Sequence, residues 1–546
     1  MNKLKSIYNS KHFANLIMRN VKYCTESPPP MKPLFRNPTI KCTKEGPPQL
    51  LDLTDPTCPC ASLSESFPKV AIIGAGIAGL SAAMRLINCG FEDITIFEAT
   101  NRCGGRIYTT WMDDAVIELG ANKIEGACIG NPAYTLACME GLFENRPPER
   151  VHDNFKDITS DGRILDQSIA EDMLIQQLLC DLRKLLKRGC TAPDVSLLHY
   201  LMLHTDQVLL TFPSSMKYDT ERILYGIIHS LKTKFGTELE NISCFGYGKL
   251  PKLPGGDIII PSGFINLLAP LIRDIPSNYI RFCKPIKEVQ WSDGKPNVVL
   301  TTEDEECFTA DFAIVTLPLG VLKQCHHTMF VPTLPNVKVE AINALGFGHI
   351  NNIYLDYREP WWSHNDGHIR IAWHKDEVHK WPVWIRGIST IRKVPGSEHV
   401  IAVTLAGEEA KLSEDMTSEE IAVDFTNFIR IFMNNRTIKF PNNVIASKWS
   451  NNSNYYGAKS YLKLGSNIGN IKDLSGSGMN ISCIPAILFA GEHTHPIYFG
   501  TVHGAILSGL REANRIIEYT QQMLTCAYPK KEESPCQQED ACAQEC

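Results

Sequence analysis

Three glycines carry the first chemical signal in this sequence. Gly74, Gly76 and Gly79, in the tract KVAIIGAGIAGLSAAMRL, keep GxGxxG spacing between a short β-branched run and a stretch of helical period. That spacing suits a dinucleotide. The first glycine permits a tight turn, the second lets backbone approach a pyrophosphate, and the third lets helix and strand pack closely. The helix would open at Ile77 and Ala78, whose free N–H groups and positive dipole end face the diphosphate. Glu98 ends the next β-like run, 22 residues beyond Gly76, where a carboxylate can accept hydrogen bonds from ribose hydroxyls. The cysteines say less. Eight of the 19 lie in the two flanks: Cys24, Cys42, Cys58 and Cys60 early, Cys526, Cys536, Cys542 and Cys546 late. A disulfide clip or a metal site stays open there, but the spacing matches no common zinc pair, so no metal ligands are assigned. The other eleven are expected to be mostly small core residues.

These residues need elements to hold them. Lys69–Ile73 reads as a strand, Ile77–Asn88 as a helix and Asp93–Phe97 as a second strand, one βαβ unit. Further strands are expected at Ala313–Leu317, Asn352–Tyr357, Val400–Leu405 and Ile487–Ala490, a helix at Ala505–Ile517, and mainly helix over 165–240. The class is α/β with inserted helices. At 546 residues the chain exceeds one ordinary core, since domains usually hold roughly 100–200 residues. Lys plus Arg at 54 against Asp plus Glu at 60 leaves −6, so no basic excess points to a nucleic acid. The longest apolar tract, Val70–Met84, is 15 residues, short of the roughly 20 a spanning helix needs, so no integral membrane segment is expected.

The first 25 residues carry Lys3, Lys5, Lys11, Arg19 and Lys22, with no acid before Glu26 and apolar residues at amphipathic spacing. This composition suits a mitochondrial transit peptide; a basic start to a cytoplasmic protein is the alternative. Ser27–Pro68 is a proline-punctuated linker, and a polar tail begins at Gln521.

The continuation EATNRCGGRIYT (98–109) decides between dinucleotides. With Arg102, Gly104, Gly105 and Arg106 it resembles the flavin-containing amine oxidases, whose FAD fingerprint runs from an acid into RxGGR. The resemblance continues in ELGANKIEG (118–126), IPSGF (260–264), KPIKEVQW (284–291), VTLPLGVLK (315–323), KWS (448–450) and LFAGEHTHPIYFGTVHGAILSGLREA (488–513). Within the family, TLPLGVLK, EPWW (359–362) and GTVHGAILSG (500–509) are most similar to the spermine and polyamine oxidase branch.

The resemblance implies a Rossmann-like FAD-binding domain from 69–150, 250–335 and 470–520. It is interleaved with a substrate domain of mixed sheet and helices from 151–249 and 336–469, with 1–68 and 521–546 as flanks. It also implies an enzyme that oxidises a small amine to an imine, passes electrons to O2 and releases H2O2 and aldehyde. Cofactor contacts are implied at Arg106, at Gly120, Ala121 and Asn122, at the backbone of Ile286 against adenine, at Gly491 and Glu492 near the ribityl or phosphate, and at Thr501 and Val502, which open a helix beside the flavin. The family's covalent members carry a cysteine in the C-terminal flavin segment, whereas 490–503 reads AGEHTHPIYFGTVH, so FAD is expected to be non-covalent.

At the reaction centre the match is partial. Glu125 stands where plant-type polyamine oxidases carry an acid, and Trp449 matches a tryptophan packed near the flavin. The lysine that holds a water to flavin N5 in relatives is Asn352, in the run Gly346–Asn352. Lys123 replaces an aromatic before the acid, and Lys459, in GAKSY, replaces an aromatic wall of the amine cage. Lysines there would repel an ammonium unless their heads reach water. Three readings follow: a working polyamine-type oxidase, a flavin-binding paralogue with weak or no activity, and an FAD oxidase of a carboxylated amine.

Overall fold

The computed structural model describes residues 67–527 apart from 145–147, 151–154, 171–194, 250, 292–296, 363–367, 375 and 480–484. The basic leader, nearly all the proline-rich linker and most of the cysteine-containing tail lie outside the described residues.

The glycine tract folds as its pattern predicts. β1 (Val70–Ile73), α1 (Ile77–Asn88) and β2 (Ile94–Phe97) form a βαβ unit with β1 and β2 parallel, Val70 beside Ile94 and Ile73 beside Phe97. Every residue of β1 is buried, as a strand covered on both faces requires. A hairpin of β3 (Thr109–Met112) and β4 (Ala115–Glu118) follows. Later elements that bear on the site are α2 (Ser214–Phe235), β5 (Ile286–Trp291), β6 (Phe312–Val315), β7 (Gly346–Gly348), β8 (Ile350–Asp356), β9 (Val400–Ala406), β10 (Lys459–Tyr461), β11 (Pro485–Phe489) and α3 (Val502–Ala527).

Two six-stranded sheets organise the molecule. The first runs Gly478–Met479, β11, β6, β1, β2, Ile280–Arg281, and is parallel except at the 478–479 edge. The second runs Asn443–Ala446, β8, β9, Thr390–Lys393, His368–Ile371, Phe155–Ile158 and is mixed. Alternation along β1 divides the first core. Val70 and Ile72 join Leu80, Leu86, Ile506 and Leu510 on the face covered by α1 and α3, while Ala71 and Ile73 join Phe97, Val315, Phe489 and Ile471 on the other. The second sheet packs Ile353, Leu355 and Val403 against Phe425, Phe428 and Phe432 of the helix Ser418–Phe432. This is an α/β fold of two interleaved units, a Rossmann-like layer and a mixed sheet with helices.

Three differences from the sequence expectations have packing causes. α3 runs ten residues past Ile517 and through the predicted start of the tail, because Ile516, Ile517 and Thr520 stay buried and Tyr519 lies edge-on to Phe312. Phe67, assigned to the linker, packs on Phe91 at 4.8 Å between ring centroids. The scattered cysteines are not mostly core. Among the described residues only Cys89 and Cys244 are buried, while Cys138 in the helix Pro132–Met139, Cys283 on a turn and Cys307 on an edge strand are exposed.

Candidate active site

The glycine tract makes a cradle. Gly74 has φ +109°, and a Cβ on it would lie 2.5 Å from Thr316 Oγ1, so a side chain there is excluded twice. A Cβ on Gly79 would fall 2.1 Å from the Gly74 carbonyl oxygen, which is the close helix–strand approach the third glycine permits. Gly76 differs: nothing lies within 4 Å of its Cβ position, and no side chain caps the N-terminus of α1 there. Open space in front of uncapped N–H groups at Ile77 and Ala78 fits a diphosphate.

Glu98 is buried at the end of β2. Its Oε2 accepts from Ala75 N at 2.8 Å, and its Oε1 accepts from the Thr100 N–H at 2.9 Å and the Thr100 hydroxyl at 2.7 Å. It thereby ties the glycine turn to the RxGGR loop, and its remaining lone pairs are what a ribose could use. In that loop Gly104 N–H donates to Ala75 O at 2.9 Å, and Arg102 folds back to donate to Gly105 O at 2.7 Å. Cys283 and Lys284 donate their backbone N–H groups to Thr100 O and Glu98 O, which brings Ile286, the first residue of β5, to the same end of the cradle.

The second arginine closes the other end. Arg106 donates from Nη1 to Glu492 Oε1 at 2.8 Å and to Ala458 O at 2.9 Å. Glu492 Oε2 accepts from the Ser460 hydroxyl and from Gly500 N–H at 2.8 Å. Burial opposes the charge on Glu492, but Arg106, His493 and Ser460 outweigh it and hold the carboxyl below its usual pKa. Gly491, at φ +125°, donates to Ser508 Oγ at 2.8 Å. Thr501 caps α3, its Oγ1 accepting from Gly504 N–H at 3.0 Å, so Val502 begins the helix as expected. Gly120 is pressed on Arg106, since a Cβ would sit 1.9 Å from Arg106 O; Ala121 N–H donates to that same oxygen, and Asn122 is exposed.

The residues singled out for the reaction come from several elements. Trp449 is buried, donates from Nε1 to Leu119 O at 2.7 Å and meets Tyr455 edge-on at 4.9 Å. Asn352, buried on β8, accepts from Thr404 Oγ1 at 2.9 Å and donates to Glu118 O at 3.4 Å. Glu118 itself is buried, and burial pushes its carboxyl up to about 8 despite hydrogen bonds from Phe264 N–H and Thr109 Oγ1. Lys123 pairs with Asp257 at 2.7 Å. Lys459 stands opposite Gly348 in the β7–β10 pair, its Cε 3.1 Å from where a Cβ on Gly500 would be.

Glu125 is half-buried. Burial works to raise its pKa, but Lys459, Lys123, Lys234 and His503 together pull it below the usual carboxylate value. Fold and charge thus gather Glu125, Lys123 and Lys459, and add two residues that sequence reasoning missed: Lys234 on α2 and His503 on α3. His503 lies two positions after Thr501 and was legible as part of TVHG; Lys234, more than 100 residues from Glu125, left no local signal. Burial chiefly, with Lys459 adding, lowers His503 to about 4, so it is neutral near pH 7.

Comparison with known proteins now decides the family. The family model described as flavin containing amine oxidoreductase matches residues 77–517, from the first helix of the cradle to α3. The chain belongs to that family. The family's cofactor is FAD, and the glycine cradle and the Arg106–Glu492 pair fit it; segment 490–503 offers no cysteine for a covalent link. Among family relatives, the chain is 30% identical over 494 residues to a peroxisomal N(1)-acetyl-spermine/spermidine oxidase of Bos taurus, covering 82% of this chain and 94% of that protein. It is 31% identical over 478 residues to Protein anon-37Cs of Drosophila melanogaster, covering 84% and 92%. A solved putrescine oxidase bound to putrescine shares the fold with a TM-score of 0.61 at 16% identity, covering 83% of this chain and 99% of that one. No helix among the described residues is long and apolar enough to cross a membrane.

Proposed function

We propose that this chain is an FAD-dependent oxidase of the polyamine and spermine type. The observation that supports the reading is a glycine cradle with open space at Gly76, tied at one end by Glu98 and at the other by the Arg106–Glu492 pair, with Trp449 packed on Gly120 next to Arg106. Bound FAD supplies the two-electron oxidation of the carbon next to nitrogen, water then splits the imine into aldehyde and amine, and O2 takes the electrons and two protons as H2O2. In this reading Glu98 and Ile286 hold the adenosine end, Gly74, Gly76, Gly79, Ile77 and Ala78 the diphosphate, and Arg106, Gly120, Ala121, Asn122, Gly491, Glu492, Thr501 and Val502 the ribityl and ring. Residues 69–150, 250–335 and 470–520 form the FAD-binding domain, and 151–249 and 336–469 the substrate domain.

Purified protein should show a bound-flavin spectrum that bleaches when spermine, N-acetylated spermine or another amine is added without oxygen, and returns with H2O2 when air is admitted. A flavin that no amine bleaches would remove the reading.

A second reading, a paralogue with weak turnover, has one observation in its favour. The Asn352 amide is engaged by Thr404 and Glu118 O, so it is short, neutral and held back where relatives extend a lysine.

A further inference from the structure

On the seam between the two proposed domains lies a polar cleft of about 230 Å³ that the oxidase reading leaves without a task. Its walls come from separate stretches of chain. Lys323 belongs to the helix Leu319–Met329, Asn343 to the last turn of the helix Asn336–Ala344, and Asn241 to the short helix Leu239–Asn241. Phe347 comes from β7, Tyr461 from β10, and Lys463 from just beyond it. The two aromatic walls carry no charge, and Tyr461 is wedged in place, its ring 2.3 Å from where a Cβ on Gly346 would be. Among the described residues no carboxylate lines this cleft.

Both lysines are positioned, and neither is neutralised by an acid among the described residues. Lys323 donates from Nζ to Ile342 O at 2.6 Å and to Asn343 O at 3.2 Å, which closes the carbonyl end of that helix and leaves one N–H and the whole charge over. Lys463 is exposed, but its backbone is fixed. It bridges Ile242, the next residue donates its N–H to Asn241 O at 2.8 Å, and Lys463 O accepts from Ser466 N–H at 2.8 Å. Burial and then the charge of Lys463 lower the Lys323 ammonium to about 8, with no acid offsetting them, as two like charges sharing one space without an anion require. Asn241 and Asn343, both exposed, add amide donors; Asn241 spends one N–H on Thr237 Oγ1 at 3.2 Å and keeps the other.

We propose that this cleft binds a doubly charged oxyanion, a phosphate or a dicarboxylate, held between Lys323 and Lys463 and hydrogen-bonded by the two asparagine amides. Two ammonium heads act as point charges on an oxyanion, and a single negative charge would leave one of them unmatched. Lys323 belongs to the proposed FAD-binding domain and the other walls to the proposed substrate domain, so the bound anion straps the seam and stabilises the folded chain by mass action. Neither lysine has a part in the cofactor cradle or the amine site, so the proposal stands apart from the oxidase reading.

Inorganic phosphate and malonate, titrated into the FAD-loaded full chain at constant ionic strength, test it by calorimetry and by Tm, with acetate as the singly charged control. At least one dianion should saturate at a concentration about tenfold or more below acetate and raise Tm, the difference that one hydrogen bond to a charged group makes. Whichever of the two binds tighter names the group that the natural ligand carries. Lys463→Gln, an exposed change that spares the helix closed by Lys323, should weaken that binding by a similar factor, and Lys463→Arg should retain it. Dianions that bind no tighter than acetate, or binding that Lys463→Gln leaves unchanged, would overturn the proposal. Dianion binding in a protein whose flavin no amine bleaches keeps this site and removes the oxidase reading; bleaching without dianion binding does the reverse.

Discussion

Gly76 and Asn352 are the residues where one side chain should separate binding from chemistry. A Cβ on Gly76 meets no protein atom, so Gly76→Val costs the fold little locally and puts its bulk where the diphosphate must lie. The variant should fold with an unchanged far-UV spectrum and purify without flavin absorbance; a fully yellow Gly76→Val protein would refute the cradle. Asn352 poses the converse test. Its amide is engaged by Thr404 and Glu118 O, and it brings no charge to the site. Replacing it by lysine should leave FAD content unchanged and speed reoxidation by O2 by about tenfold or more, within the range one well-placed electrostatic donor contributes. Stopped-flow reoxidation of the reduced protein measures this, and a neutral or slower Asn352→Lys would show that the position has no part in flavin chemistry.

Among elements, the β3–β4 hairpin and the second sheet are joined by a charged clasp. His399, just before β9, is hydrogen-bonded through Nδ1 to Asp356 at the end of β8 at 2.7 Å, and through Nε2 to Asp114 in the β3–β4 turn at 2.9 Å. Burial works against the imidazolium, but Asp356 and Asp114 outweigh it and raise His399 above its ordinary 6.5. A raised folded-state value means the stabilisation is full below the unfolded value and is lost as pH rises through the folded one. Wild type should therefore exceed His399→Gln in stability by about 1–2 kcal/mol near pH 5.5, the scale of hydrogen bonds to charged groups, with the gap shrinking toward pH 8.5. Urea unfolding of both proteins across that range measures it. A gap that widens with pH would mean that His399 is not the charged partner. The clasp matters to the site because β4 leads straight into Leu119 and Gly120, and β8 carries Asn352.

For the whole molecule, a chain cut to residues 67–527 should purify with FAD at full occupancy. Phe67 packs on Phe91, and α3 buries Ile516, Ile517 and Thr520 against the first sheet, so both ends of that piece belong to the packed body. Soluble but flavin-free 67–527 would place part of the cofactor site in a flank. The leader is tested by fusing residues 1–35 to a fluorescent reporter. Its five basic residues before the first acid should direct it to mitochondria, and a diffuse cytoplasmic signal would support the alternative.

What the sequence determined by itself was whatever depends on spacing along the chain. The GxGxxG turn, α1 at Ile77–Asn88, the acid at Glu98 and the RxGGR loop are contiguous, and turn sterics and helical period are local physics, so they were legible without coordinates. The family, its FAD and its α/β fold followed from blocks that keep their order. The tertiary structure decided what depends on charges and contacts between distant segments. Lys123 proved to be balanced by Asp257, 134 residues away, and Lys459 to act on Glu125, more than 300 residues away; no periodicity encodes either outcome. Lys234 and His503 reached Glu125 only because α2 and α3 converge there. Even the end of α3 was a tertiary matter, since its polar composition past Ile517 reads as tail until Tyr519 and Thr520 find the first sheet. Local sterics are written in neighbouring residues, whereas Coulomb interactions and burial are sums over everything the fold brings near, and that sum exists only once the chain has closed.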